Sequence, residues 1–243
     1  MEAAKKNVGH PYHLVKLSPW PICMSFSLFL FFMSLTYMFK YKNSFYVYVS
    51  FMLLSLLVYC WFKDVFKESC EGFHSKKVKE GFKFGMLLFI ISEFFFFLSI
   101  FWGYFHIYLA PDADLGLTFE GMKGVDFMKK FPLSFINTTL LVVSGGLGHY
   151  SYDKLKEKKF KESKYALLMS FMLGMLFSLI QLYEYYESSF TISDNVYGSL
   201  FYFLTGFHGL HVLVGSLYLF VNWYTFDLYK IYYGGAVGLY LAL

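Results

Sequence analysis

MLLFIISEFFFFLSIF, residues 86–101, is apolar on every side of a helix apart from Ser92, Glu93 and Ser99. A surface helix of a water-soluble domain keeps a polar face, so a stretch that is apolar all round belongs to a lipid layer or a deep core. Residues 25–39 have the same character. Across the 243 residues, 57% are hydrophobic and 24% aromatic against 16% charged, which is too apolar for an ordinary water-soluble domain. The chain reads as an all-α integral membrane protein.

A helix crossing a hydrocarbon layer of ~30 Å needs about 20 apolar residues. Windows of that length place six spans near residues 21–39, 45–66, 82–109, 132–152, 165–186 and 197–226. Pro19 and Pro21 suit the start of the first span and Pro132 the start of the fourth, because an N-terminal position loses no intrahelical bond to a missing N–H. Pro111 helps to stop the third. Residues 110–131 form the one long connection and read as an outer loop with Gly116, Gly121 and Gly124. The apolar tail at 232–243 is too short to cross. No repeat or second domain is evident, so residues 1–243 read as one membrane domain.

The net charge of +4 does not mark a nucleic-acid binder, because all 21 basic residues are lysines lying mainly between the apolar runs. With the N-terminus inside, 16 lysines fall on the inner side and five on the outer, which places both termini on the inner side. The absence of arginine beside 32 Phe and 22 Tyr points to an AT-rich genome such as an organelle's. Cys23, Cys60 and Cys70 form no CxxC pair and read as unpaired thiols.

Glu93 is the most unusual residue. Ten residues beyond Lys83 at ~1.5 Å each, it lies about 15 Å deep, where an isolated carboxylate is costly. It is expected to be protonated, hydrogen-bonded to another helix, or in contact with water or a lipid headgroup, in either a functional role or a structural clasp. His208 and His211, three apart, invite a metal reading with His106 and Glu184 approaching from other helices. The competing reading is packing, since Gly198, Thr205, Gly209 and Ser216 make a small-residue stripe on the same span. Ser170, Gly174 and Ser178 repeat that pattern on the fifth span, and Gly85, Ser92, Ser99 and Gly103 line a face of the third. Glu184 also belongs to an outer cluster of Gln181, Tyr185, Tyr186 and Glu187, for which an aromatic belt with solvated acids is the plainer account. At the first inner corner, Trp61, Lys67, Glu68 and His74 could hold lipid phosphate or form a solvated charged loop.

Residues 88–93, LFIISE, with FWGYFH at 101–106 and LAP at 109–111, resemble the third helix of cytochrome c oxidase subunit III. Further matches include YHLV at 12–15, SPWP at 18–21, EYYE at 184–187, FTISD at 190–194 and TGFHGLH at 205–211, and the resemblance covers about residues 10–226. It implies a core subunit with no catalytic residue, metal ligand or cofactor of its own. Haem and copper would belong to partner subunits of a respiratory oxidase that reduces oxygen and pumps protons in the mitochondrial inner membrane. The termini would then face the matrix. N-terminal residues show no transit-peptide pattern, so synthesis within the organelle, or import by another signal, is expected.

The resemblance further implies two helix groups, the first two spans against the rest, with phospholipid in a cleft faced by Trp61, Lys67, His74, Glu93 and His211. That cleft would aid oxygen access and proton uptake. Partners would be subunit I as the main contact, subunit II, accessory subunits and phospholipids. Two departures stand out: Thr225 occupies a family arginine's position, and the sequence stops where the family's seventh helix would begin. A separate chain is expected to supply that helix. A transporter using Glu93, a haem or metal enzyme using His208 and His211, and a bacterial counterpart of the same subunit are the alternatives.

Overall fold

A computed structural model describes residues 10–110, 127–194 and 196–227, with residues 127–131 described as backbone only. The tail at 232–243 and loop residues 111–126 lie outside the described residues. Within them the chain forms six α-helices and no strand: α1 Trp20–Tyr41, α2 Phe45–Cys70, α3 Lys76–Leu109, α4 Phe127–Lys156, α5 Phe160–Tyr186 and α6 Val196–Tyr224. The helices outrun the apolar windows at several ends because backbone hydrogen bonding continues past the hydrocarbon into charged turns, as at Lys67 and Lys154. Pro132 does not start α4; it sits inside a helix that begins at Phe127. A proline this near the N-terminus removes only one backbone bond.

Burial is inverted relative to a water-soluble protein. Ser27, Ser34, Ser50, Asn137, Ser144, Ser151, Ser163, Ser170, Ser216 and Asn222 are buried, whereas large residues such as Phe26, Phe94, Trp102 and Leu179 are exposed. Lipid tails solvate apolar side chains as well as a core does, so helix contacts are made by small residues and hydrogen bonds. Five of the six helices are long and apolar enough to cross a membrane, and the chain is a multi-pass membrane protein. The fourth helix, α4, has the most polar composition of the six. Ser134, Asn137, Ser144 and Ser151 of α4 bond to α5, whereas Thr138 and Thr139 bond back to their own helix.

The chain forms two compact units, divided between Phe82 and Lys83. In the first, α1 and α2 make an antiparallel hairpin. Ser34 and Ser50 join their hydroxyls at 2.7 Å, and Trp20 Nε1–H donates to Asp64 Oδ2 at 2.7 Å. These two ties lie fourteen residues apart on each helix, so one register satisfies both. The hairpin turns at Lys42, left-handed at φ 54°, whose N–H caps the carbonyl of Met38.

In the second unit, α4 and α5 are joined by two reciprocal serine pairs. Ser144 and Ser170 each donate to the other's backbone carbonyl at 2.8 Å; Ser151 and Ser163 do the same at 2.8 and 2.7 Å. The pairs are seven residues apart on each helix, the repeat that keeps one face toward a neighbour. On α5, Gly174 meets α6, where an added Cβ would collide with Ser216 Oγ. Near the ends of these helices, Leu167 and Phe226 form a small apolar core with Leu219 and Trp223. The small face of α3 is different: Ser92 and Ser99 bond back to their own helix, and a Cβ at Gly85 or Gly103 would meet open space. That stripe does not join helices within the described residues.

Candidate functional site

The α3–α6 contact brings two ionisable groups together. On α3, Glu93 extends Oε2 to within 2.8 Å of His211 Nε2 on α6. Phe96 against Phe207, centroids 5.0 Å apart, and Phe97 against His211 at 5.3 Å pack beside the pair. The other imidazole nitrogen, Nδ1, lies 2.6 Å from the carbonyl oxygen of Phe207, one turn back. A carbonyl can only accept, so Nδ1 carries a hydrogen. Nε2 and Oε2 then share one proton, as imidazolium with carboxylate or imidazole with carboxylic acid. Either arrangement is neutral overall, which removes most of the cost of two ionisable groups at this depth. Both side chains are about a third exposed, Glu93 at 32% and His211 at 36%, so the pair remains reachable from one side.

Of the states open to Glu93 from sequence, the structure shows the bond to another helix. It also separates the two α6 histidines. His211 faces α3, whereas His208 lies edge-on to Phe177 of α5 with centroids 6.0 Å apart. His106 is exposed, thirteen residues and about 20 Å further along α3 from Glu93. Glu184 bonds elsewhere, accepting from Ser134 Oγ of α4 at 3.0 Å, beside an Asn137–Gln181 contact at 3.4 Å. The four residues do not converge. At the same end of the helices, Tyr185 of α5 donates to Thr205 of α6 at 2.7 Å, and Tyr202 donates to the carbonyl of Phe190.

The α2–α3 corner belongs to the other unit. Gly72, at φ 83°, ends α2 in a left-handed cap, and Phe73 N–H reaches back to the Glu68 carbonyl at 3.2 Å. This turn folds His74 back toward Glu68. His13 joins them from the N-terminal segment, stacked on Phe73 at 5.1 Å, while His74 lies edge-on to Phe82 at 5.2 Å. Ser75 Oγ donates to the Pro11 carbonyl and holds that segment in place. Burial, with the neighbouring His13 adding to it, holds the His74 imidazole below its ordinary titration range. Trp61 is half-buried on α2, and Lys67 is exposed with Glu71 4.0 Å away.

His13 is the residue that spacing could not assign to this corner, being 55 residues from Glu68. The Glu93–His211 pairing, 118 residues apart, was likewise invisible in local patterns, although the depth of Glu93 demanded a partner.

The family model for cytochrome c oxidase subunit III matches residues 10–243. Cytochrome c oxidase subunit 3 of Branchiostoma lanceolatum is 41% identical over 218 residues, covering 87% of this chain and 81% of that protein. The Mammuthus primigenius protein of the same name is 40% identical over 211 residues, covering 86% and 80%. That of Rhipicephalus sanguineus is 37% identical over 216 residues, covering 88% and 84%. Matched along nearly its whole length by these relatives, the chain belongs to the cytochrome c oxidase subunit III family.

Proposed function

We propose that this chain is a non-redox core subunit of a terminal respiratory oxidase in the mitochondrial inner membrane, with both termini on the matrix side. It stabilises the catalytic subunit, which holds haem and copper with the other partners, and binds structural phospholipid. The observation that carries this reading is the Glu93–His211 pair, an overall neutral, one-third-exposed polar clasp between two apolar helices. A neutral pair does no electron chemistry, yet it offers hydrogen-bonding atoms to a headgroup and keeps α3 against α6. His208 and His211 face different helices, which supports assigning haem and copper to partner subunits.

Trp61, Lys67 and His74 supply an aromatic ring, a cation and an imidazole suited to a phosphate headgroup at the inner corner. A lipid-filled surface beside the catalytic subunit would also be a route for oxygen, which dissolves well among acyl chains, and would support proton uptake from the matrix side.

The decisive experiment purifies the intact complex in mild detergent and resolves its chains and lipids. Haem-bearing partners and phospholipid at Glu93, Lys67 and His74 are expected. Recovery of the chain alone, or of a water-filled path at Glu93 in place of lipid, would overturn the reading.

A further inference from the structure

The side chains of His13, Glu68 and His74 each offer one ligand atom, and those atoms all lie within 4.8 Å of one another. Three separate parts of the chain supply them: the N-terminal segment, the last turns of α2, and the corner that leads into α3. We propose that these three residues form a Zn²⁺ site with two imidazole nitrogens and one carboxylate oxygen, leaving a fourth position for water.

The donor set selects the ion. Two imidazoles and a carboxylate suit Zn²⁺, whereas Mg²⁺ and Ca²⁺ take oxygen ligands almost alone. Around a tetrahedral zinc, with bonds of about 2.0–2.2 Å, neighbouring donors are roughly 3.4 Å apart. The observed cluster is therefore slightly open and closes by small side-chain movements. Among the described residues none of the three side chains hydrogen-bonds to another, so binding costs no existing bond between them.

The surroundings are also built to hold these rings. Phe73 stacks on His13 with planes 15° apart, and Phe82 meets His74 at 77°, which restricts both imidazoles. Gly72 and the Phe73–Glu68 backbone bond fold Glu68 and His74 onto one side of the corner. Oriented ligands and an apolar margin are what strengthen a metal site beyond its donor list. All three residues are half-buried, so an ion can enter from solvent. Bound zinc would tie the segment around His13 to the end of α2, adding a metal link to the Ser75–Pro11 hydrogen bond.

The site shares His74 with the proposed headgroup contact but uses His13 and Glu68, which that reading does not, and metal content tests it separately from lipid occupancy. The full chain, with the partners it purifies with, is stripped by a chelator, equilibrated with zinc chloride and assayed for bound zinc. His13→Gln, Glu68→Gln and His74→Gln are compared with the unsubstituted chain, so that zinc held elsewhere cancels. About one zinc fewer per chain is expected for each variant at limiting zinc, with affinity reduced about tenfold or more. X-ray absorption at the zinc edge should lose imidazole scattering in the two histidine variants. Should His74→Gln fail to assemble, His13→Gln decides, since His13 lies outside every helix. Equal zinc content and an unchanged absorption edge in His13→Gln and Glu68→Gln would overturn the proposal.

Discussion

Glu93 Oε2 and His211 Nε2, 118 residues apart in the chain, lie 2.8 Å apart and share one proton while the Phe207 carbonyl holds the far side of the imidazole. The contact joins α3 to α6 through a polar bond flanked by the Phe96, Phe97 and Phe207 rings. Its strength comes from low local polarity, and its tolerance of depth from overall neutrality.

Removing one partner should cost more than softening the bond. Glu93→Ala leaves Nε2 without a partner, and a loss of about 1–3 kcal/mol is expected from stranding a half-buried polar group. Glu93→Gln should cost less, because its amide can still donate to Nε2 or accept from it. Thermal unfolding of the purified complex measures the order. Equal shifts for the two variants would show that the bond contributes nothing to holding α6.

Close approach of α5 and α6 rests on Gly174. Gly174→Ala should destabilise the chain by about 1–3 kcal/mol, since its new methyl meets Ser216 Oγ. Adding Ser216→Ala removes that oxygen and leaves Cβ at 3.5 Å, an ordinary contact. The double variant should therefore recover most of the loss, measured by detergent-stability midpoint. No recovery would place the strain elsewhere.

The serine pairs of α4 and α5 make a graded prediction. Ser144→Ala and Ser151→Ala each remove a donor to a facing carbonyl, at about 0.6 kcal/mol for a typical interhelical bond in a membrane. The two sites are about 10 Å apart along α4, so the double variant should show nearly the summed effect. A loss from Ser144→Ala alone that matched the double would refute independent contributions.

Between α5 and α6, Asp194 accepts from both Thr191 N–H and Thr191 Oγ1 at 2.6 Å, and these bonds hold its carboxyl below the ordinary value of 3.8. A depressed carboxylate pKa stabilises the folded turn above the unfolded value, and that contribution disappears as pH falls through the folded one. Exchange of the Thr191 amide should accelerate across that acidic window. Asp194→Asn should remove the pH dependence, and a persisting one would assign it to another group.

Much of the fold was legible because lipid imposes a simple rule: backbone groups must bond internally, so long apolar runs such as 86–101 become helices. The small residues Gly174 and Ser216 were readable as contact positions for the same reason. The rule is silent on which contact face is used. The stripe of Gly85, Ser92, Ser99 and Gly103 has the same spacing logic, yet it meets open space within the described residues. Pro132 was read as a start because proline favours that place, whereas an early interior position tolerates it too.

By itself, then, the sequence determined the helical class, the depth of Glu93 and the family resemblance, since each follows from local composition or motif. Only tertiary structure decided that Glu93 meets His211 and not His208, that Ser144 and Ser151 of α4 answer Ser170 and Ser163 of α5, and that His13 closes on Glu68 and His74. A residue's own chemistry states that it needs a partner. Which partner it finds depends on helix register and on turns such as Gly72, where residues far apart in sequence are brought within bonding distance.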